Sequence, residues 1–286
     1  MQVYLNGKFI PDSEATIPVT DRGFIFGDGV YEVIRVIDGR LFREKEHLDR
    51  LKEGLAGLQI NVKPDQLQSL SKNMHDLLDR NSLLKGEATL YLQITRGAAS
   101  PRTHTFPEPE VEPTIFLSTT PFIPHRDLHE SGTDAITLPD LRWARCHLKT
   151  VNLLPNILAR QQAVDAGVDS AVMIRDGMIT ESPNANIFGV RQGILYTYPD
   201  SPYILSGITR QLVFELAEEL SIPVKTIPIL EKDLFDLDEL FFSGTTTDIQ
   251  PVVEIDGKQL GGGKPGDIVR RIQKAFRQEL YGVSDA

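Results

Sequence analysis

Two-residue turn signals recur along this chain and predict a fold rich in β-hairpins. Asn6-Gly7 and Asp38-Gly39 each separate two short runs of apolar and β-branched residues. Asn-Gly or Asp-Gly in that setting is typical of a tight hairpin turn. Asp176-Gly177 and Gln192-Gly193 punctuate further strand patterns in the second half. We therefore expect hairpin-rich sheets in both halves of the chain.

Helical patterns alternate with these strands. Leu48, Leu51, Leu55 and Leu58 recur at three- or four-residue spacing, which is typical of an amphipathic helix. Strand patterns return at residues 88–95 and 113–119. Helices are expected at residues 44–58, after Pro64, and at about 152–166, 207–220 and 266–281. The mixture predicts an α+β fold class.

The length and one proline-bounded segment predict two domains. A chain of 286 residues exceeds the usual size of a single domain. Two prolines fall in the stretch Ser118–Pro124 between periodic segments, and this composition is typical of a boundary. We expect a small N-terminal α/β domain at 1–120. A larger C-terminal domain, β-rich with helices, would occupy 121–286 and carry the lysine discussed below.

Charge and composition exclude several classes of function. The 30 Lys and Arg against 40 Asp and Glu give a net charge of −10, which disfavours nucleic acid as a partner. No apolar run reaches about 18 residues and no signal-peptide pattern opens the sequence, so we expect no membrane association and a cytoplasmic location. Cys146 is the single cysteine, and it can form neither an internal disulfide nor a zinc cluster. No metal site is expected.

Lys149 and Glu181 are candidates for acid–base and nucleophilic chemistry. The near neighbours of Lys149 are mostly uncharged or apolar, and a lysine that forms a Schiff base needs such partial desolvation of its amine. A solvated surface role is the common alternative for a lysine. Glu181 follows the Asp176-Gly177 turn and precedes an Asn-rich loop, a position that solvated acids also occupy.

Two segments have the pattern of a phosphate site. Ser206-Gly207-Ile208-Thr209-Arg210 is a glycine turn before a helix, where backbone N–H groups and the helix dipole favour an anion. The same pattern fits an ordinary serine N-cap. Ser243-Gly244-Thr245-Thr246-Thr247 places hydroxyl groups at the end of an apolar strand. A solvated turn is its alternative reading.

Two further groups of side chains suit anions. His47 and Arg50 are three residues apart on one helix face and would suit a phosphate, although a Glu46–Arg50 ion pair on a polar face explains the spacing too. Arg102-Thr103-His104 lies in a loop bounded by prolines. Its two donors could clamp a carboxylate, or the loop could be plain surface.

Seven motifs, in their order along the chain, resemble one family. The sequence over about residues 3–280 is similar to the fold-type IV pyridoxal-phosphate enzymes, and most closely to the D-amino-acid aminotransferases. Each motif alone is weak, whereas the ordered set is specific. The motifs are Phe26–Glu32, Glu46–Leu51, Arg96-Gly97 with Ser100–His104, Lys149–Asn152, Thr180–Ser182 through Asn186–Phe188, Leu205–Arg210, and Ser243–Thr246.

The resemblance implies a role for each candidate residue toward pyridoxal 5'-phosphate. Lys149 would form the aldimine with the cofactor aldehyde and move the α-proton, and Glu181 would face the pyridine nitrogen. The resemblance assigns the phosphate to Arg50, the Ile208 and Thr209 backbone N–H groups, Thr245 and Thr246. The substrate carboxylate would be bound by Tyr31, Arg102 and His104.

The resemblance also implies a reaction and an assembly. The substrates would be D-amino acids such as D-alanine and D-glutamate, with 2-oxo acids such as pyruvate and 2-oxoglutarate as acceptors. In relatives the loop that corresponds to Arg102–His104 comes from the neighbouring subunit, which implies a homodimer with shared active sites. An L-branched-chain aminotransferase or an aminodeoxychorismate lyase of the same fold stays open. So does a binding module without catalysis, although retention of both Lys149 and Glu181 argues against it.

Overall fold

The computed structural model describes residues 1–282 and divides them into two compact units. The first unit contains Met1–Ile123 together with Leu148–Asn152. The second contains Pro124–His147 and the described residues from Leu153 onward.

The first unit, built from residues 1–123 and 148–152, is a six-stranded antiparallel sheet with helices. Its sheet order is β2-β1-β6-β5-β3-β4. The strands are β1 Gln2–Leu5, β2 Lys8–Pro11, β3 Gly29–Ile37, β4 Arg40–Leu41, β5 Glu87–Thr95 and β6 Thr114–Pro121. The helices are α1 Arg22–Phe26, α2 Glu44–Gly57 and α3 Pro64–Arg80.

The core of this unit lies between the helices and one face of the sheet. Leu51 and Leu55 of α2 and Met74 of α3 are almost fully buried in the cluster that includes Ile34 of β3 and Leu90 of β5. Leucines at helical spacing and strand residues at every second position bring these side chains to one interface. The predicted leucine stripe of α2 therefore faces this core, with Leu51 and Leu55 buried and Leu48 and Leu58 partly buried against it.

The expected division of the chain differs from the structure at residues 148–152. The C-terminal domain predicted from the sequence includes Lys149, whereas the structure groups this residue with the first unit. The cause is backbone pairing with the start of β3. The Tyr31 N–H donates to the Lys149 carbonyl at 3.0 Å, and the Val151 N–H donates to the Gly29 carbonyl at 3.1 Å.

The second unit contains, within its described residues, a ten-stranded mixed sheet and the remaining helices. The sheet order is β12-β11-β10-β14-β15-β7-β8-β9-β13, and β16 pairs with β15. The strands are β7 Thr133–Pro139, β8 Ser170–Arg175, β9 Met178–Ile179, β10 Asn186–Arg191, β11 Ile194–Thr197, β12 Val224–Lys225, β13 Ile229–Leu230, β14 Glu239–Gly244, β15 Asp248–Ile255 and β16 Lys258–Gln259. The helices are α4 Arg126–Ser131, α5 Leu154–Asp165, α6 Ile208–Glu219 and α7 Asp267–Tyr281.

All four predicted hairpin turns are present. Asn6-Gly7, Asp38-Gly39, Asp176-Gly177 and Gln192-Gly193 each have positive φ at both residues, as a type I′ turn requires. Each joins antiparallel neighbours. The α+β class is confirmed, and the second sheet adds parallel pairing of β7 with β8 and β15 that the turn signals do not reveal.

None of the helices within residues 1–282 is both long enough and apolar enough to cross a membrane.

Candidate active site

Lys149 lies beside Tyr31 at the start of β3. Its Nζ is 4.1 Å from the centroid of the Tyr31 ring. That ring also stacks on Tyr91, with 5.8 Å between the ring centroids. The lysine side chain is half-buried, and the aromatic face attracts its ammonium group. The amine is thus held at one place in the first unit, as a nucleophilic amine requires.

Glu32 is the centre of a buried ion cluster on the helix side of β3. Its carboxylate accepts from Arg50 Nε and Nη2, both at 2.8 Å, and lies 2.7 Å from His47 Nδ1. Burial raises the pKa of Glu32, but Arg50 and His47 outweigh burial and lower that pKa to about 2. Burial lowers the pKa of His47 despite the adjacent carboxylate. The i, i+3 spacing therefore brings His47 and Arg50 of α2 to the same carboxylate, that of Glu32, which is not among the residues predicted for the site.

The loop that carries Arg102 and His104 packs on Phe26 in the same unit. The Arg102 guanidinium lies 4.6 Å from the centroid of the Phe26 ring, and the His104 ring lies 5.6 Å from it. Arg22 donates a hydrogen bond to the Thr103 carbonyl at 2.9 Å. The structure thus groups the two loop donors with Phe26, while Tyr31 is grouped with Lys149.

Glu181 is buried in the second unit, where several donors surround its carboxylate. Arg142 donates to Oε1, Asn186 donates to Oε2 at 2.9 Å, and the Leu205 N–H donates to Oε2 at 3.2 Å. Burial raises the pKa of Glu181, and the Arg142 guanidinium opposes that rise. A further positive charge beside the Glu181 carboxyl group would therefore favour its ionised form.

Arg142 is itself fixed by Asp140. Its Nε and Nη2 donate to the two Asp140 oxygens at 2.9 and 2.8 Å. Burial lowers the pKa of Arg142, but Glu181 and Asp140 outweigh burial and raise it. Burial raises the pKa of Asp140, but Arg142 outweighs burial and lowers that pKa to about 2. The guanidinium is consequently a fixed cation against Glu181.

Asn186 connects Glu181 to the turn that precedes α6. Its Nδ2 also donates to the Leu205 carbonyl at 2.7 Å. A Cβ at Gly207 would lie 2.2 Å from Asn186 Oδ1, so this position requires glycine because of the close approach. Gly207 is the N-cap of α6, and no side-chain hydrogen bond caps that helix in the described structure. The N–H groups of its first turn have no acceptor within the helix.

The hydroxyl-rich turn lies at the same end of the second sheet. Ser243, at the end of β14, pairs across strands with Asn186. The Ser243 Oγ is buried and has no hydrogen-bond partner within residues 1–282. Thr245 and Thr246 follow in the turn to β15 and are partly exposed. The second unit therefore groups Glu181, the start of α6 and this turn.

Pro183 does not remove the contacts of Glu181. The proline lacks an N–H, and its carbonyl accepts from Asn156 Nδ2 at 2.7 Å. The Ser182 N–H donates to the Ala185 carbonyl at 2.8 Å. The donors to Glu181 are Arg142, Asn186 and the Leu205 N–H, so Pro183 removes none of them.

Most partners of the candidate residues are not apparent from the sequence. A signal existed for Glu32, because the alternation of β3 places it in the same row as buried Val30 and Ile34, and a carboxylate in such a row needs a cation. No local pattern identifies Asn186 or Asp140 as partners of the Glu181 cluster. Their contacts depend on tertiary structure.

The fold and these groups define an aminotransferase of class IV. The chain belongs to this family, whose sequence model matches residues 29–255. It is 38% identical over 285 residues to the D-alanine aminotransferase of Staphylococcus aureus strain N315, and the match covers 99% of each chain.

Solved structures of related enzymes have the same fold. The branched-chain amino acid aminotransferase of Escherichia coli matches with a TM-score of 0.88 and 27% identity, covering 96% of this chain and 93% of that one. The branched-chain amino acid aminotransferase of Thermoproteus uzoniensis, solved with norvaline, matches with a TM-score of 0.86 and 28% identity, covering 97% and 94%. A further branched-chain enzyme of this fold is solved with pyridoxamine 5'-phosphate. The expected fold-type IV architecture is confirmed.

Proposed function

We propose that this chain is a pyridoxal-phosphate-dependent D-amino-acid aminotransferase. It would transfer the amino group of D-alanine or D-glutamate to 2-oxo acids such as pyruvate and 2-oxoglutarate. The observation that carries the proposal is Lys149, a half-buried amine against Tyr31, in a chain whose full-length relatives are named D-alanine aminotransferases.

The residues of the second unit fit the chemistry of the cofactor. A phosphate accepts hydrogen bonds from helix N-terminal N–H groups and from hydroxyls, and the unit offers the Ile208 and Thr209 N–H groups, Thr245 and Thr246. The buried, unpartnered Ser243 Oγ supports a polar occupant at this end of the sheet. Glu181, whose pKa burial raises, suits a protonated pyridine nitrogen, because that cation would favour the carboxylate.

Each residue would then have one task. When bound, pyridoxal phosphate supplies an aldehyde for the substrate amine and an electron-withdrawing ring. Lys149 would hold the cofactor through its amine and would remove and return the proton at the substrate Cα. Glu181 would face the pyridine nitrogen and favour its protonated form. Arg50 is a further candidate phosphate ligand, and its bidentate contact with Glu32 fixes the direction of its guanidinium.

Tyr31, Arg102 and His104 would bind the substrate carboxylate. The proposal includes a homodimer, in which Arg102 and His104 of one subunit would serve the site of the other. In one chain the loop donors pack on Phe26, whereas Tyr31 packs beside Lys149. A loop that serves the site of the neighbouring subunit is consistent with these different contacts. An apolar stripe on α5, more than half exposed at each residue, is the kind of surface a second copy would cover: Leu154, Ile157 and Leu158.

Handedness would follow from the position of the carboxylate. Proton transfer requires the Cα–H bond to point at the Lys149 amine, so a fixed carboxylate and a fixed side-chain pocket select one enantiomer. The L-isomer would exchange the two groups and leave Arg102 unpaired. Loss of charge-assisted contacts costs about 1.5–3 kcal/mol each, which corresponds to a D-preference of roughly tenfold to a hundredfold in kcat/KM.

The structural neighbours favour one alternative, an L-branched-chain aminotransferase, because several of the solved structures that match are named branched-chain aminotransferases. One assay separates the two functions. Purified protein with pyridoxal phosphate is given D-alanine, L-alanine, L-leucine or L-valine with 2-oxoglutarate, and oxo-acid formation is measured. Lys149→Ala is the inactive control. Faster turnover of L-leucine or L-valine than of D-alanine would replace the proposal by the branched-chain alternative.

A further inference from the structure

Asp28 joins two buried arginines at the end of α1. Its Oδ2 accepts from Arg22 Nε at 2.8 Å and from Arg96 Nε at 2.8 Å, and its Oδ1 accepts from Arg96 Nη2 at 3.0 Å. The side chains of Arg22 and Arg96 are 6% and 9% exposed, and that of Asp28 is 12% exposed. One carboxylate therefore orients two guanidinium groups that are almost out of solvent and compensates one of their two positive charges.

Both arginines also contact the loop that carries Arg102 and His104. Arg22 donates to the carbonyl of Thr103, the residue between those two, at 2.9 Å. Its guanidinium lies 4.8 Å from the Phe26 ring, the same ring on which Arg102 and His104 pack. The loop is thus attached at its middle by a hydrogen bond and by one shared aromatic side chain.

Arg96 holds the loop at a second point. Its guanidinium lies 3.7 Å from the centroid of the Phe106 ring, two residues after His104. Its Nη1 and Nη2 also donate to the carbonyls of Gln59 and Leu58, both at 2.7 Å, so the arginine is itself immobilised. Rotation of Arg96 away from Asp28 would break these bonds together.

We propose that Asp28 is a positioning residue for substrate binding: through Arg22 and Arg96 it fixes where Arg102 and His104 can meet the carboxylate of an amino acid or 2-oxo acid. The role of the loop in binding a carboxylate rests on the proposed function. The attachment of the loop to Asp28 rests on the contacts of the first unit alone.

The test combines loop dynamics with kinetics on the holoenzyme. Asp28→Asn keeps the shape of the side chain and removes its charge. Arg22→Met is the second variant, because it leaves Asp28 and Arg96 as a neutral pair and removes the bond to Thr103. Arg80→Met is the matched control, since the Arg80 guanidinium lies 4.4 Å from the Phe9 ring in the same unit, away from the loop.

Hydrogen–deuterium exchange is read on a peptide over residues 98–107, with a peptide over β5 as internal reference. In both test variants the loop amides should exchange at least about tenfold faster, because a charge-assisted hydrogen bond to the loop or to its anchor is lost. The exchange of the β5 amides should not change. The KM for D-alanine should rise about tenfold while kcat stays within about twofold. In an Arg102→Leu background, Asp28→Asn should raise the KM by no more than about twofold.

The outcomes separate this inference from the proposed function. Unchanged loop exchange in both variants would overturn the positioning role, even with normal D-alanine turnover. Faster exchange with an unchanged KM would mean that the loop is held by Asp28 but does not bind the carboxylate, which overturns the assignment of Arg102 and His104. If the wild-type enzyme does not use D-alanine, the proposed function fails while the exchange result still decides the attachment of the loop.

Discussion

Replacement of Arg142 by methionine should destabilise the second unit strongly at neutral pH. The substitution removes the cation that contacts both Glu181 and Asp140, and each of the three side chains is at most 7% exposed. Asp140 keeps the Thr180 hydroxyl at 2.8 Å and Arg175 at 3.2 Å. Glu181 keeps Asn186 and the Leu205 N–H, which are neutral donors.

The expected magnitude follows from burial. Removing one partner of a buried ion pair costs about 3–5 kcal/mol, because a charge is left without compensation. Most of this free energy comes from the Glu181 carboxylate, since burial already raises its pKa and the variant lacks the guanidinium that opposes the rise. The variant should therefore lose about 3–5 kcal/mol of unfolding free energy at pH 7. Arg160→Met, at an exposed arginine of the same unit, is the control and should lose less than about 1 kcal/mol.

The pH dependence gives a second, signed readout. In the wild type the pKa of Asp140 is lowered to about 2, so its contribution is present above the unfolded pKa near 4 and is lost as the pH falls through 2. In Arg142→Met the carboxyl pKa values rise, and protonation relieves the buried charge as the pH falls. The difference in stability between wild type and variant should therefore be smaller at pH 5 than at pH 7.

Urea unfolding followed by tryptophan fluorescence suits this measurement, because Trp143 is the single tryptophan and adjoins Arg142. Far-ultraviolet circular dichroism checks that the transition is cooperative. A loss below about 1 kcal/mol at pH 7 would contradict the reasoning. So would an equal loss at pH 5 and pH 7.

Three further results are expected. Gly207→Ala should weaken pyridoxal-phosphate binding at least about tenfold in a fluorescence titration, because the new Cβ would lie 2.2 Å from Asn186 Oδ1. The control Gly262→Ala, which has open space around the new Cβ, should bind the cofactor normally. Borohydride reduction of the holoenzyme and peptide mapping should place the pyridoxyl group on Lys149, and a label on another lysine would refute its role. Refolded mixtures of Lys149→Ala and Arg102→Ala subunits should regain activity through one intact site per heterodimer; confirmed heterodimers without activity would show that the loop serves its own subunit.

Local patterns predict the elements of this fold well, because their causes are local. The leucine spacing over residues 44–58 corresponds to α2, Glu44–Gly57. Asn6-Gly7 adopts the positive φ angles that a short hairpin turn requires, and few other residue pairs do so without strain. The two-residue strands β12 and β13 are not predictable in this way, since so short a segment has no periodicity and pairs only because tertiary structure places it beside its neighbour.

The contacts of the candidate site are less predictable because they join distant positions. Arg22 and Thr103 are 81 residues apart, and Arg142 and Glu181 are 39 apart. The sequence identifies residue types suited to the chemistry, whereas strand register and helix packing decide which side chains meet. The alternation of β3 is an intermediate case: it indicates that Glu32 is buried, but not that His47 and Arg50 are its partners.

The buried ion clusters around Glu32 and Glu181 pose one common problem for experiments on function. Glu32 stays ionised between His47 and Arg50, with its pKa lowered to about 2, and Glu181 faces Arg142. Desolvation of such pairs costs about as much as their attraction returns, so stability alone does not explain them. What they supply is a fixed direction for a guanidinium or a carboxylate. Replacement of Glu32 alone therefore removes the anion that orients Arg50, whereas the paired replacement Glu32→Gln with Arg50→Met separates the loss of a ligand from the loss of the fold.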